Sequence, residues 1–319
     1  MTSLLGAARR PLGRDGTLLV ALAACLWGTS SLMRGPLAAA YPASTIVWLE
    51  HLLIVLLLSP WVLPALRAFG RVSTRAKVSA VVVGGGSSAL ATTLFTASFA
   101  YGDPITPQVL QKLQPLVAIL LAAVVLGERL RPRFALFAVP ALAGAWVMTF
   151  PDPFDVSATN LQAAGLAVGA AALWAAGTVL GRLMGTELGA RDVTVLRFFF
   201  GLLVAGAIVV GRDVPLTIDR SDLDLLVLLA LLPGVLGITL YYRGLRTTPA
   251  SRATLAELMF PVTAAVVGVA FLGGSLQASQ WLGLVVVVAS ITALVLHEQR
   301  ARRTTVTPGV AATEAPAPV

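Results

Sequence analysis

Thr106–Pro115, TPQVLQKLQP, interrupts a long apolar run with three glutamines and a lysine. Gln108, Gln111 and Gln114 are spaced by three, so on a helix they drift slowly around one face, with Lys112 beside them. Lipid offers no partners to four such side chains, so that face must look into protein or water. Ser251–Pro261, SRATLAELMFP, repeats the arrangement and puts Glu257 where the first copy has Gln111. Pro115 and Pro261 lie 146 positions apart, as do Gln111 and Glu257. Two polar-faced helices in matching places predict a duplicated membrane protein with a central polar path.

The composition agrees. Of 319 residues, 57% are hydrophobic and 12% charged, with a mean hydropathy of +0.86. A soluble domain has about a quarter of its residues charged. The expected class is an all-α integral membrane protein in a lipid bilayer. Apolar runs of about 20 residues predict ten transmembrane helices, at 16–38, 43–64, 77–101, 104–127, 132–150, 162–184, 191–211, 222–245, 250–273 and 277–297. The first run is flanked like a true span rather than a cleavable signal. Residues 1–15 read as a cytoplasmic N-terminus, 16–150 and 162–297 as two five-helix repeats, and 298–319 as a disordered cytoplasmic tail. A single cysteine, Cys25, leaves neither an intrachain disulfide nor a multi-cysteine metal site, and no cofactor is expected.

The net charge of +8 follows from orientation, with no need for a nucleic-acid partner. With the N-terminus inside, 18 arginines and lysines fall in cytoplasmic segments, among them Arg9, Arg10, Arg67, Arg71, Arg129, Arg131 and Arg246. Only Arg34, Arg212 and Arg220 fall outside, together with Asp103, Asp152, Asp213 and Asp222. This bias places both termini in the cytoplasm of a plasma-membrane protein.

The duplication extends further. Leu26-Trp27 matches Leu173-Trp174, Glu50 matches Arg197, and Leu126-Gly127 matches Leu272-Gly273, at offsets of 146 or 147. Five spans per unit is odd, so the second copy runs opposite to the first. Inverted repeats are a transporter signature, with the substrate site near the midplane where the copies meet.

Several stretches bear a family resemblance: Leu26-Trp27-Gly28, the arginine of VLRFFFG (Val195–Gly201), the glutamate and proline of ELMFP (Glu257–Pro261), and LGERLRPRFALFAVPALAGAWVM (Leu126–Met148). In order and duplication they resemble the paired EamA domains of the drug/metabolite transporter superfamily, over about 17–150 and 162–297. The resemblance implies a secondary active transporter, typically an exporter of small organic metabolites (amino acids, related metabolites or drugs), working by alternating access. Two departures stand out: Glu50-His51 occupies a place where the family more often has arginine, and Gly274 replaces the second-half counterpart of Glu128.

Residue depths follow from about 1.5 Å of rise per residue. Glu50 and Lys112 come out about 10–12 Å below the outer surface, and Arg197 and Glu257 about 10 Å from the inner one. The expected intramembrane charge pairs are therefore Glu50 with Lys112 and Arg197 with Glu257, serving either helix cohesion or substrate contact. The substrate-binding candidates are Trp27, Gln108, Gln111, Lys112, Trp174, Tyr241 and Glu257. Trp27 and Trp174 fall near the midplane, as cavity walls or core filler. Trp48, Trp61, Trp146 and Trp281 near span ends suit an aromatic belt. Tyr241 and Tyr242 can bond a ligand or anchor at the interface. Glu128 reads as a helix cap or an arginine partner. Gly84-Gly85-Gly86 permits close helix contact and is no phosphate loop, since no GxxxxGK follows. Without that motif, transport draws on a gradient or exchange, with proton coupling and a homodimer left open. An enzyme would want a cluster of His, Asp, Ser or Cys at one surface, whereas His51 and His297 stand far apart in the chain. A membrane-embedded enzyme and a lipid-linked carrier flippase are the alternatives to a transporter of small molecules.

Overall fold

The computed structural model describes residues 15–98, 110–111, 113–129, 132–149, 152, 154 and 161–306. All regular structure among the described residues is helical. The first half holds α1 (Thr17–Gly28), α2 (Ser31–Ala40), α3 (Ala43–Leu57), α4 (Ser59–Arg71), α5 (Thr74–Phe95), α6 (Gln114–Leu126) and α7 (Ala135–Thr149). The second holds α8 (Leu161–Met184), α9 (Ala190–Arg212), α10 (Arg220–Leu245), α11 (Ala250–Phe271) and α12 (Ala278–Val306). Eight helical stretches are long and apolar enough to cross a membrane, or nine with the bent pair α3–α4 counted as one. The predicted fourth span, 104–127, falls partly outside the described residues, and α6 is its described portion.

Three boundaries depart from expectation. The second span was expected over 43–64; the chain turns by 90° between α3 and α4. Pro60 sits in the first turn of α4, where a missing N–H costs nothing but an uninterrupted helix cannot pass. The bend turns α4 across the end of α3, with Trp61 and Leu63 exposed along it. The last helix continues to Val306, so 298–306 is helical rather than part of a disordered tail; residues 307–319 lie outside the described set. Finally, α5 and α10 are not α-helical throughout. Val82–Leu90 in α5 and Ala230–Gly237 in α10 are π-helical. These stretches begin 148 positions apart, close to the spacing of the duplicated motifs. Short π segments gather at functional sites, and both of these reach the cavity described below.

The halves interlock. Helix α1 packs on α10 and α11 of the second half, while α8 packs on α5 and α6 of the first. The same exchange relates α3 on α10 to α9 on α5, and α7 packs against α12. Close approach at that last seam depends on glycine: a Cβ on Gly283 would stand 2.5 Å from the Met148 nitrogen and 2.6 Å from the Gly144 carbonyl oxygen. One large core gathers Val20, Ile54, Val83, Leu196, Tyr242 and Leu245 from both halves.

Two polar contacts outside the spans tie the halves together. The Glu128 carboxylate accepts from the Ala250 and Ser251 N–H groups at 2.7 and 3.1 Å and from the Ser251 hydroxyl at 2.7 Å. It therefore caps α11, the first of its two expected roles. Glu128→Ala should cost about 1–2 kcal/mol, by analogy with a lost N-cap, read as a lower melting temperature in detergent. The second contact joins Glu187, between α8 and α9, to the Ser73 N–H (2.8 Å) and hydroxyl (2.7 Å). The Ser73 N–H, then its hydroxyl, hold the Glu187 carboxyl below the usual carboxylate range. A depressed folded-state pKa gives stability that is present above the unfolded value and fades as pH falls through the folded one. Glu187→Gln should therefore narrow the gap between neutral and acidic melting temperatures, and an unchanged gap would show the contact to be idle.

Candidate functional site

A cavity of about 870 Å³ lies at the junction of the two halves. Its walls come from helices chosen by the duplicated pattern: Trp27 from α1 and Trp174 from α8, Ser87 and Ser88 from the π stretch of α5, Pro233 and Gly234 from that of α10. Of the sequence-predicted substrate residues, Trp27, Gln111, Trp174, Tyr241 and Glu257 all line it. Gln108 and Lys112 lie outside the described residues. Trp146, expected in an aromatic belt, lines the cavity as well. Trp27 stands against Tyr241 with ring centroids 5.0 Å apart, and Trp174 meets Phe95 edge-on at 5.2 Å. Such walls suit flat apolar ligand surface.

The cavity carries charge in two groups. Glu50 is bonded to Arg34 at 2.8 Å. Its expected partner Lys112 falls outside the described residues. The regular helix is interrupted at Thr29–Ser30 between α1 and α2, and Arg34 lies in the first turn of α2. Next to this pair, His51 is buried; its Nδ1 bonds the Val47 carbonyl at 2.7 Å and its Nε2 meets the Ser88 hydroxyl at 2.9 Å.

The second group centres on Glu257. Its Oε1 accepts from the Tyr241 hydroxyl at 2.8 Å and the Thr178 hydroxyl at 2.9 Å, and its Oε2 from the Gln114 amide at 3.3 Å. Tyr241 and Thr178 are themselves 3.1 Å apart, closing a triangle. Arg197 bonds instead to the Tyr242 hydroxyl at 3.0 Å, and its buried Nε has no hydrogen-bond partner among the described residues. Among the described residues no ion pair joins Arg197 to Glu257, which corrects the expected couple. The depth argument brought the right residues to one level, but the Tyr241-Tyr242 step stands between them and gives a hydroxyl to each. Tyr242 is 1% exposed, so it is a core residue and not an interfacial anchor.

Thr178 and Gln114 were not among the binding candidates. Thr178 follows Trp174 by four, on the same helix face, a signal present in the sequence. Arg34 and Ser88 had none: Arg34 meets Glu50 across two helices, and Ser88 lies in the π turn of α5.

A polytopic helical protein with a mixed aromatic and charged cavity between two interlocked halves has the architecture of a membrane transporter. The chain belongs to the EamA-like transporter family, whose pattern matches it twice, over residues 14–150 and 161–296. It is 30% identical to the riboflavin transporter ImpX of Fusobacterium nucleatum subsp. nucleatum, over 86% of this chain and 96% of that one. It is 33% identical to the threonine/homoserine exporter RhtA of Salmonella typhimurium (strain LT2), over 53% of this chain and 56% of that one. A crystal structure of a protein 18% identical to it superposes with a TM-score of 0.72, covering 91% of this chain and 99% of the other, so the fold is shared.

Proposed function

We propose that the chain is a secondary active transporter that exports small organic metabolites across the plasma membrane by alternating access, with the central cavity as its substrate site. Ten crossings, arranged as two inverted five-helix repeats with both termini in the cytoplasm, are part of this reading. The eight or nine candidate spans among the described residues, with the shorter apolar helix α6, support the count, and the contacts that exchange when the halves are swapped support a two-fold relation. The observation that carries the function is the placement of Trp27, Trp174, Tyr241, Glu257 and Gln111 around one cavity between the halves. Gln108 and Lys112 complete that site on this reading, Lys112 facing an anionic or carboxylate-bearing part of the substrate. The aromatic walls favour a substrate with a flat ring system, in keeping with the riboflavin transporter that matches over most of its length.

Purified protein in liposomes, offered riboflavin, threonine and homoserine, tests the proposal. Riboflavin movement that saturates, and that Trp27→Ala abolishes while the protein stays folded, is the expected result. Riboflavin movement unaffected by Trp27→Ala would remove the cavity from the pathway. Orientation has its own test. In a Cys25→Ala background, Ser157→Cys should react with an impermeant thiol reagent in intact cells and Ser3→Cys should not, following the arginine and lysine bias. Labelling at Ser3→Cys would overturn the cytoplasmic termini.

A further inference from the structure

Two carboxylates face the cavity, and their surroundings differ in kind. Glu50 is bonded to a guanidinium, which cannot give up its charge and can only donate. That contact gives Glu50 a permanent cation as its partner. Glu257 is bonded by two hydroxyls and an amide. A hydroxyl both donates and accepts. When Glu257 is ionised, Tyr241 and Thr178 both donate to Oε1. When it is protonated, its O–H can donate to the Tyr241 oxygen while Tyr241 turns its own proton 3.1 Å across to Thr178. Neither state strands a buried polar group, which is the usual cost of changing a charge away from water. Arg197 is bonded to Tyr242, and among the described residues it makes no ion pair with Glu257.

We propose that Glu257 is the group through which the carrier takes up and releases a proton, its carboxylate seated among hydroxyls that serve both protonation states, while Glu50 is bonded to Arg34. This rests on the transporter reading and deepens it. Hydronium in the cavity gives its proton to the Glu257 carboxylate and leaves as water, taking the side chain from one negative charge to neutral; release returns the proton to water. Substrate enters the same circuit, because Trp27, a cavity wall, packs on Tyr241. A ligand that displaces Trp27 moves the hydroxyl that holds Glu257. The other charged or titratable groups on the helices around it are Tyr241 and Tyr242 on α10, Arg197 on α9, Arg182 one turn past Thr178 on α8, Arg252 at the start of α11 with Asp15 3.6 Å away, Cys25 on α1 and Glu128 beyond α6. His51 faces the same cavity. None of them makes an ion pair with Glu257 among the described residues.

Infrared difference spectra of the full chain in liposomes, recorded between mildly alkaline and mildly acidic pH, read the proton directly and need no substrate. The expected result is a protonated-carboxyl band that is lost in Glu257→Gln and kept in Glu50→Gln. A band that survives Glu257→Gln, or a wild-type spectrum without it, overturns the proposal. Should Glu257→Gln fail to fold, Tyr241→Phe with Thr178→Val removes the hydroxyls and should move the band's midpoint to higher pH; an unmoved midpoint is equally fatal. Coupling is read separately, from riboflavin movement against pH, which Glu257→Gln should flatten; a pH profile unchanged from wild type overturns the coupling role. If the wild type moves none of riboflavin, threonine or homoserine, the substrate assignment falls, and the infrared spectra still decide the proton site.

Discussion

Gly84→Ala is expected to lower the melting temperature sharply and Gly84→Leu to abolish folded protein, whereas Gly86→Ala two residues on should be tolerated. A Cβ on Gly84 would stand 2.7 Å from the Arg197 carbonyl oxygen and 2.6 Å from the Phe200 Cβ. One obstacle is backbone and the other is the root of a side chain, so neither can swing aside. Helices α5 and α9 would have to part, and with them the Arg197–Tyr242 bond and the seat of His51, whose ring lies against Gly201 of α9. Overpacking of this kind costs about 1–3 kcal/mol for small additions and more for large ones. At Gly86 the nearest atom is the tip of Leu173, at 3.3 Å, and a rotamer change absorbs it. Thermal melts in detergent separate the cases. Equal melting temperatures for Gly84→Ala and Gly86→Ala would show that α5 and α9 do not meet as described.

That contrast also marks how far the sequence could be read. GGG inside an apolar run announces close helix contact, but three identical letters do not say which glycine meets backbone. The same limit governs the cavity. The cavity positions of Gln111 and Gln114 from TPQVLQKLQP, of Glu257 and of the paired tryptophans at matching offsets were legible because burial in lipid makes any polar or duplicated residue conspicuous. Partnerships were not, because depth along a straight helix fixes height and leaves direction around the bundle open. Arg34 of α2 meets Glu50 of α3, and Tyr242 came between Arg197 and Glu257 through the register of α10. The bend after α3 was signalled by Ser59-Pro60 yet hidden in an apolar stretch long enough to span. The extension of α12 past residue 297 was obscured because polarity alone suggested a tail, although Glu298, Gln299 and Arg300 are good helix formers.

The Arg34–Glu50 pair offers the second large effect, and it is asymmetric. The Glu50 side chain is 10% exposed and that of Arg34 35%, so removing either partner leaves a different remnant. Arg34→Met strands a nearly buried carboxylate on the cavity wall. Breaking a buried pair from one side costs about 3–5 kcal/mol, and partial exposure of Arg34 reduces that to about 2–3 kcal/mol here. Glu50→Gln instead leaves a guanidinium that water can reach, and its amide oxygen can still accept from Arg34, so the loss should be about 1 kcal/mol. Combining the two neutral changes should recover most of the stability lost by Arg34→Met, because the stranded charge is gone. Melting temperatures of the wild type, both single variants and the double variant measure this coupling directly. If Arg34→Met is silent and Lys112→Met carries the loss, Glu50 is compensated by the lysine of the opening stretch and Arg34 is a surface contact. If Arg34→Met is costly and Lys112→Met leaves stability intact while stopping transport, the lysine is free to meet substrate, which is the role the proposed site requires of it.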